Sequence, residues 1–204
     1  MRTASPTTEA ARGGGLPVRP PRPGRTVVLG VDPGTAVTGY GVVARGGDGA
    51  LSLLECGVIR TDAKAPLPER LRDIYEGVVE VLERNDPGVV AVEGVFYGKN
   101  VRSSLVLGHA RGAILLAAAL RDLEVVEYPP AEVKSAVTGA GAATKDQVGF
   151  MVARLLKLSA APKPADAADG VAIALCHCFR GFGPASRAAA KSQLQTPRVR
   201  RKAL

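Results

Sequence analysis

The hydrophobic period of this chain first changes near Pro68, and that change limits the folds open to it. Before it lie three runs rich in β-branched residues, at 26–32, about 37–44 and 51–61. Pro33-Gly34 stops the first run, and Gly46-Gly47-Asp48-Gly49 separates the other two, as a hairpin loop would. After Pro68, Leu71, Ile74, Tyr75, Val78, Val81 and Leu82 recur at helical spacing until Asn85-Asp86-Pro87-Gly88. An apolar strand at 88–92 ends on Glu93, a long helix is predicted at 101–122, and a further strand at 125–128 precedes Pro129-Pro130 and a short helix at 132–137. Helices at 145–158 and from Ala165 to about Phe182 complete the pattern. A meander followed by strand–helix alternation predicts an α/β fold with a mixed five-stranded sheet, three strands antiparallel and the later ones parallel, flanked by helices.

Composition decides where the charge sits. The 204 residues carry a formal +8, but residues 1–26 hold +4 and residues 184–204 hold +6, leaving −2 for residues 27–183. We therefore expect a folded domain at 27–183 between a basic, Pro- and Gly-rich disordered extension at 1–26 and a basic disordered tail at 184–204. Attraction of the body for a polyanion must then come from a local basic surface or from bound cations, with the tails adding salt-sensitive affinity. Cys56, Cys176 and Cys178 are too few for a disulfide framework, which suits a reducing, cytoplasmic setting. Arg111 and Arg121 interrupt the most apolar segment, so no membrane span is expected.

Four acids interrupt apolar surroundings: Asp32, Glu93, Asp166 and Asp169. The first two stand at the carboxyl ends of strands, where ligands collect in open α/β sheets. Asp166 and Asp169 are three apart at the start of a helix and share a face. Gathered together, four carboxylates would repel one another unless cations neutralised them. Hard oxygen donors select Mg²⁺, with Mn²⁺ as a substitute, over zinc. Two such ions can activate water and stabilise the leaving oxygen of a phosphodiester. Taken singly, each acid also fits a turn or a helix first turn; the functional reading rests on the set.

Neighbouring residues extend the pattern. Phe96-Tyr97, flanked by Gly94 and Gly98, reads either as a base-stacking element or as an aromatic lid on the core. Lys145 opens a helix against the dipole, which a phosphate neighbour would explain. Cys176-His177-Cys178 sends its sulfurs in different directions on a helix and reads as packing rather than a zinc site. His109 falls within the long helix as a structural or surface residue.

The motifs Leu29-Gly-Val-Asp-Pro-Gly-Thr35 with Thr38-Gly-Tyr-Gly41, Glu93-Gly-Val-Phe-Tyr-Gly-Lys-Asn100, Leu107-Gly-His-Ala-Arg-Gly112 and Ala165-Asp-Ala-Ala-Asp169 make residues 27–182 resemble the RuvC family of Holliday junction resolvases. That resemblance implies a ribonuclease H-like fold and a structure-specific endodeoxyribonuclease. Such an enzyme resolves four-way junctions by symmetric paired nicks in homologous recombination and DNA repair. It implies that Asp32, Glu93, Asp166 and Asp169 hold the catalytic metals, two Mg²⁺ per site. It also implies that Phe96 acts near the junction centre, and that Lys134 and Lys145 contact DNA near the scissile phosphate; Tyr97, Lys99, Arg102 and Arg111 are further candidate DNA contacts. A homodimer and a branch-migration complex, of a junction-binding protein and a hexameric helicase, would be the partners. The helix at 101–122, with its small residues Gly108, Gly112 and Ala117, is the candidate dimer interface. Gly94 departs from the Gln common after the catalytic Glu, and the tails have no counterpart in the family core. Two rival readings are weighed. An actin-like ATPase or sugar kinase is suggested by Asp32-Pro-Gly-Thr35 before a hairpin, but needs a second comparable domain. A DNA-binding module without catalysis, or a related RNA-processing relative, is disfavoured by retention of all four acids.

Overall fold

A computed structural model of the chain describes residues 24–94 and 101–181, the side chain of Arg102 excepted. Five strands, β1 (Arg25–Asp32), β2 (Val37–Gly46), β3 (Leu51–Arg60), β4 (Val89–Glu93) and β5 (Glu124–Tyr128), form one sheet in the order β3-β2-β1-β4-β5. The β1–β2 and β2–β3 pairings are antiparallel, and β1–β4 and β4–β5 are parallel, as the change of period predicts. The helices are α1 (Leu67–Asn85), α2 (Val101–Ala119), α3 (Pro130–Thr138), α4 (Lys145–Leu155) and α5 (Ala165–Arg180).

Central strands are buried on both faces, and alternate residues divide between two cores. Val28, Val43, Val89 and Ala91 pack with α3, α4 and α5. Leu29, Val31, Val42, Val90 and Val92 pack with α1 and α2. The result is a three-layer arrangement in which α5 runs through the thickest part of one layer, with every residue from Val171 to Cys178 buried.

Two helices end earlier than predicted. Past α2, Asp122 is left-handed and Leu123 N–H bonds Ala118 O at 3.1 Å; past α4, Lys157 is left-handed and Leu158 N–H bonds Ala153 O at 2.8 Å. Both stops use a left-handed residue other than glycine, so no Gly marks them in the sequence. By contrast, α1 ends where Asn85-Asp86-Pro87 signals it, with Asp86 left-handed at φ 47°.

Candidate active site

Strand register brings the first two acids together. Val31 pairs with Val92 across the parallel β1–β4 ladder, so the next step on each strand reaches Asp32 and Glu93. Alternation places Asp32 on the face of Val28 and Gly30, and Glu93 on the face of Val89 and Ala91, which is the α5 side of the sheet. Carboxylate oxygens of Asp32, Asp166 and Asp169 then lie within 4.8 Å of one another, half-buried, and Glu93 is close enough to share a hydrogen bond with Asp32.

Glycine makes this convergence possible. A β-carbon at Gly39 would collide with the carbonyl of Asp166, and one at Gly41 with the backbone of Val171. With Gly30 and Gly170 also lacking side chains, α5 lies directly on the backbones of β1 and β2. Its first turn, carrying Asp166 and Asp169, is thereby lowered to the level of Asp32. Beside them the Asp32–Thr35 loop is folded back by buried Thr38, whose hydroxyl donates to Gly34 O at 2.7 Å.

The electrostatics reflect crowding of like charge. Burial, then the charge of Glu93, then that of Asp169 push the Asp32 carboxyl up to about 7. Burial and Asp169 also raise Glu93, against a lowering hydrogen bond from Asp32. Lys145 answers them most directly: its Nζ donates to Asp169 Oδ2 at 2.6 Å and is held above its ordinary range by that bond. A phosphate neighbour was the expected reason for a lysine opening α4; the neighbour here is a carboxylate. Thr144 closes a capping box with Gln147 just before it, a signal not read from the sequence. Lys134, half-buried on α3, lies near enough to lower Glu93.

The donors are all carboxylate oxygens, and the ionised forms of Asp32 and Glu93 are disfavoured by burial and by the charges around them. A hard divalent cation fits that donor set, because it would supply the missing positive charge. The Cys176-His177-Cys178 sequence is a different environment. The two thiols are buried and burial pushes each up to about 12, while His177 Nδ1 bonds the Tyr128 hydroxyl at 2.9 Å.

Arg111, expected as a DNA contact, is placed otherwise. It is 8% exposed, its Nη1 donates to the main-chain oxygen of Glu93 at 2.7 Å, and its Nη2 faces Glu127 of β5 as an ion pair without hydrogen-bond alignment. The guanidinium thus fixes the end of β4 from α2 and is not presented to a phosphate. Spacing carried the signal: Arg111 shares a helix face with buried Ile114 and Ala118, the core-facing stripe of α2. Phe96, Tyr97, Lys99 and the Arg102 side chain lie outside the described residues.

Comparison with known proteins adds a lineage to this geometry. The family model described as crossover junction endodeoxyribonuclease RuvC matches residues 28–177. A relative of that name from Parafrankia sp. is 53% identical over 154 residues, covering 76% of this chain and 86% of its own. Another, from Chlorobaculum parvum, is 50% identical over 155 residues, or 76% and 82% of the two chains. The Thermus thermophilus RuvC structure is 43% identical at a TM-score of 0.69 over 76% of this chain and 94% of its own. The same Thermus thermophilus protein in complex with Holliday junction substrate is also similar, at 39% identity and TM-score 0.69 over the same shares. The yeast mitochondrial Holliday junction resolvase, at 18% identity and TM-score 0.56 over 80% and 82%, shares the fold. With a family model spanning sheet and helices alike, and relatives at half identity across it, the chain belongs to the RuvC family of crossover junction endodeoxyribonucleases.

Proposed function

We propose that this chain resolves four-way DNA junctions by nicking two strands symmetrically, through hydrolysis of phosphodiester bonds at the site formed by Asp32, Glu93, Asp166 and Asp169. The observation that carries the reading is the meeting of three carboxylates from β1 and α5 within 4.8 Å, with Glu93 alongside. These four residues would hold two Mg²⁺ ions, with Mn²⁺ able to substitute. Bound there, the cations would supply Lewis acidity toward the phosphoryl oxygens and make water a nucleophile at neutral pH.

The chain's own groups orient and screen the reaction. Carboxylates alone repel a phosphodiester, so the site admits its substrate only when compensated. Lys145 contributes part of that compensation and, with donors beyond the one engaged by Asp169, can also meet a phosphate oxygen. Lys134 faces the same region. Arg111 keeps the Glu93 main chain fixed while the DNA strand is seated. Water adds to phosphorus, the bond to the 3′ oxygen breaks, and the products are a 3′ hydroxyl and a 5′ phosphate.

Paired nicks require two sites. The open face of α2 supports a homodimer: Leu105 and Leu116 are 62% and 53% exposed, and between them a β-carbon at Gly108 or Gly112 would meet nothing within 4 Å. A second copy can bring its own α2 close along that stripe, giving an isologous pair that matches the twofold symmetry of a four-way junction. Family membership supports a role in recombination and repair, a cytoplasmic setting and branch-migration partners. Among the described residues no helix is long and apolar enough to cross a membrane.

The test is cleavage of a synthetic four-way junction by the full chain with Mg²⁺, set against EDTA and an Asp32→Asn variant. Symmetric nicks with 5′-phosphate ends, lost in both controls, are expected. Cutting that survives EDTA or the substitution would overturn the assignment, and ATP turnover would favour the kinase-like reading.

A further inference from the structure

Next to the carboxylates, an open groove of about 910 Å³ runs between α4 and the segment entering α5. Lys145 and Asp169 belong to both groove and site, so the two are one continuous surface. The groove wall is apolar, with Phe150 of α4 facing Pro162 and Pro164, and the cations Lys145, Arg154 and Lys163 outnumber the acids Asp146 and Asp169 along it. Phe150 is 59% exposed, so it does little for the core. The guanidinium of Arg154 lies over its ring, 5.8 Å from the centre.

We propose that this groove is a subsite for one unstacked nucleoside of the cleaved strand, beside the scissile phosphate, with its base on the Phe150 ring and its flanking phosphates against Arg154 and Lys163. The proposal rests on the junction-nuclease reading above and gives that site a further means of recognition. Continuity with Asp169 places the occupant on the strand being cut. The excess of cations suits a polyanion, and an aromatic face accepts any base, so the subsite is tolerant of sequence. A base that has already lost its partner or its stacking neighbour enters at least cost. The groove therefore favours strand-exchange points over continuous duplex.

The experiment uses the full chain and synthetic four-way junctions in which 5-iodo-2′-deoxyuridine is walked through the cleaved strand. The complexes are irradiated, and the attached residue is identified by mass spectrometry. Crosslinking to Phe150 is expected from the position next to the scissile bond. Phe150→Ala should weaken junction binding about tenfold or more, and Phe150→Tyr should restore it. Both variants should melt with the unaltered chain, since the side chain is exposed. A chain that cuts the junction yet gives no crosslink at Phe150, or an alanine variant that binds as tightly, overturns the subsite alone. A chain that neither binds nor cuts the junction takes down the nuclease reading, and the subsite with it.

Discussion

Asp32 is the residue on which the cost of the site is concentrated. Because its folded proton affinity lies above the ordinary carboxylate value of 3.8, the metal-free fold keeps this contribution in full below that value and loses it as pH rises through about 7. Asp32→Asn should therefore raise the melting temperature of the EDTA-treated chain at pH 8, by a few degrees for about 1 kcal/mol, while leaving it unchanged at pH 4. Mg²⁺ should stabilise the unaltered chain and not the variant; equal melting shifts in both would refute Asp32 as a ligand. In the same variant, cleavage should fall by about a thousandfold, equivalent to about 4 kcal/mol of transition-state stabilisation. Arg111 acts on the neighbouring acid through the main chain. Arg111→Met leaves the Glu93 carbonyl without its partner and should cost about 1–3 kcal/mol of stability. Glu127→Gln, at an exposed position, should leave stability almost unchanged, because the Arg111 bond to Glu93 remains; a large melting loss would mean that the ion pair, rather than the carbonyl bond, anchors β4.

At the scale of elements, the contact of α5 with β1 and β2 decides whether there is a site at all. Gly39→Ala adds one methyl group against the Asp166 carbonyl, with main chain on both sides and no flexible side chain to yield. We expect the helix to be lifted, at a cost of about 1–3 kcal/mol for overpacking, with loss of cleavage far beyond the loss of stability; circular dichroism melts and junction cleavage on one preparation separate the two. Farther along α5, burial holds the His177 imidazole neutral and its proton affinity falls to about 4, from an ordinary 6.5. That depressed value makes its contribution present above 6.5 and lost as pH falls toward 4, opposite in sign to Asp32. Melts across this window in the Asp32→Asn background, where the opposing slope of Asp32 is removed, should decline with acid, and His177→Gln should make that decline shallower. Much of this architecture was legible in the sequence. The period change gave the sheet, and the four acids stood out against apolar runs. What stayed hidden depends on approach between distant backbones: nothing local distinguishes Gly39 as the seat of α5, and the partner of Lys145 lies 24 residues away on another helix. Arg111 was visible as a charge, but its bond to the Glu93 main chain depends on the helix face that carries it.

Over the whole molecule, the proposed recognition is divided between surfaces of different chemistry. The carboxylate end faces one way, while α2 offers an apolar stripe with open glycines elsewhere on the surface. Leu116→Glu should convert a dimer into monomers, measured by sedimentation, and change paired nicking into single nicks or none; an unchanged sedimentation coefficient would exclude this face. One last consequence follows from the order of the elements along the chain. The carboxylate set draws on β1 at one extreme and on the first turn of α5 at the other, with Glu93 between. A nascent polypeptide still missing Ala165–Arg180 holds only two of the four acids and lacks the helix that roofs them. Under the proposed mechanism such a chain cannot cleave, and a message cut short upstream of that helix would yield a protein without a blade.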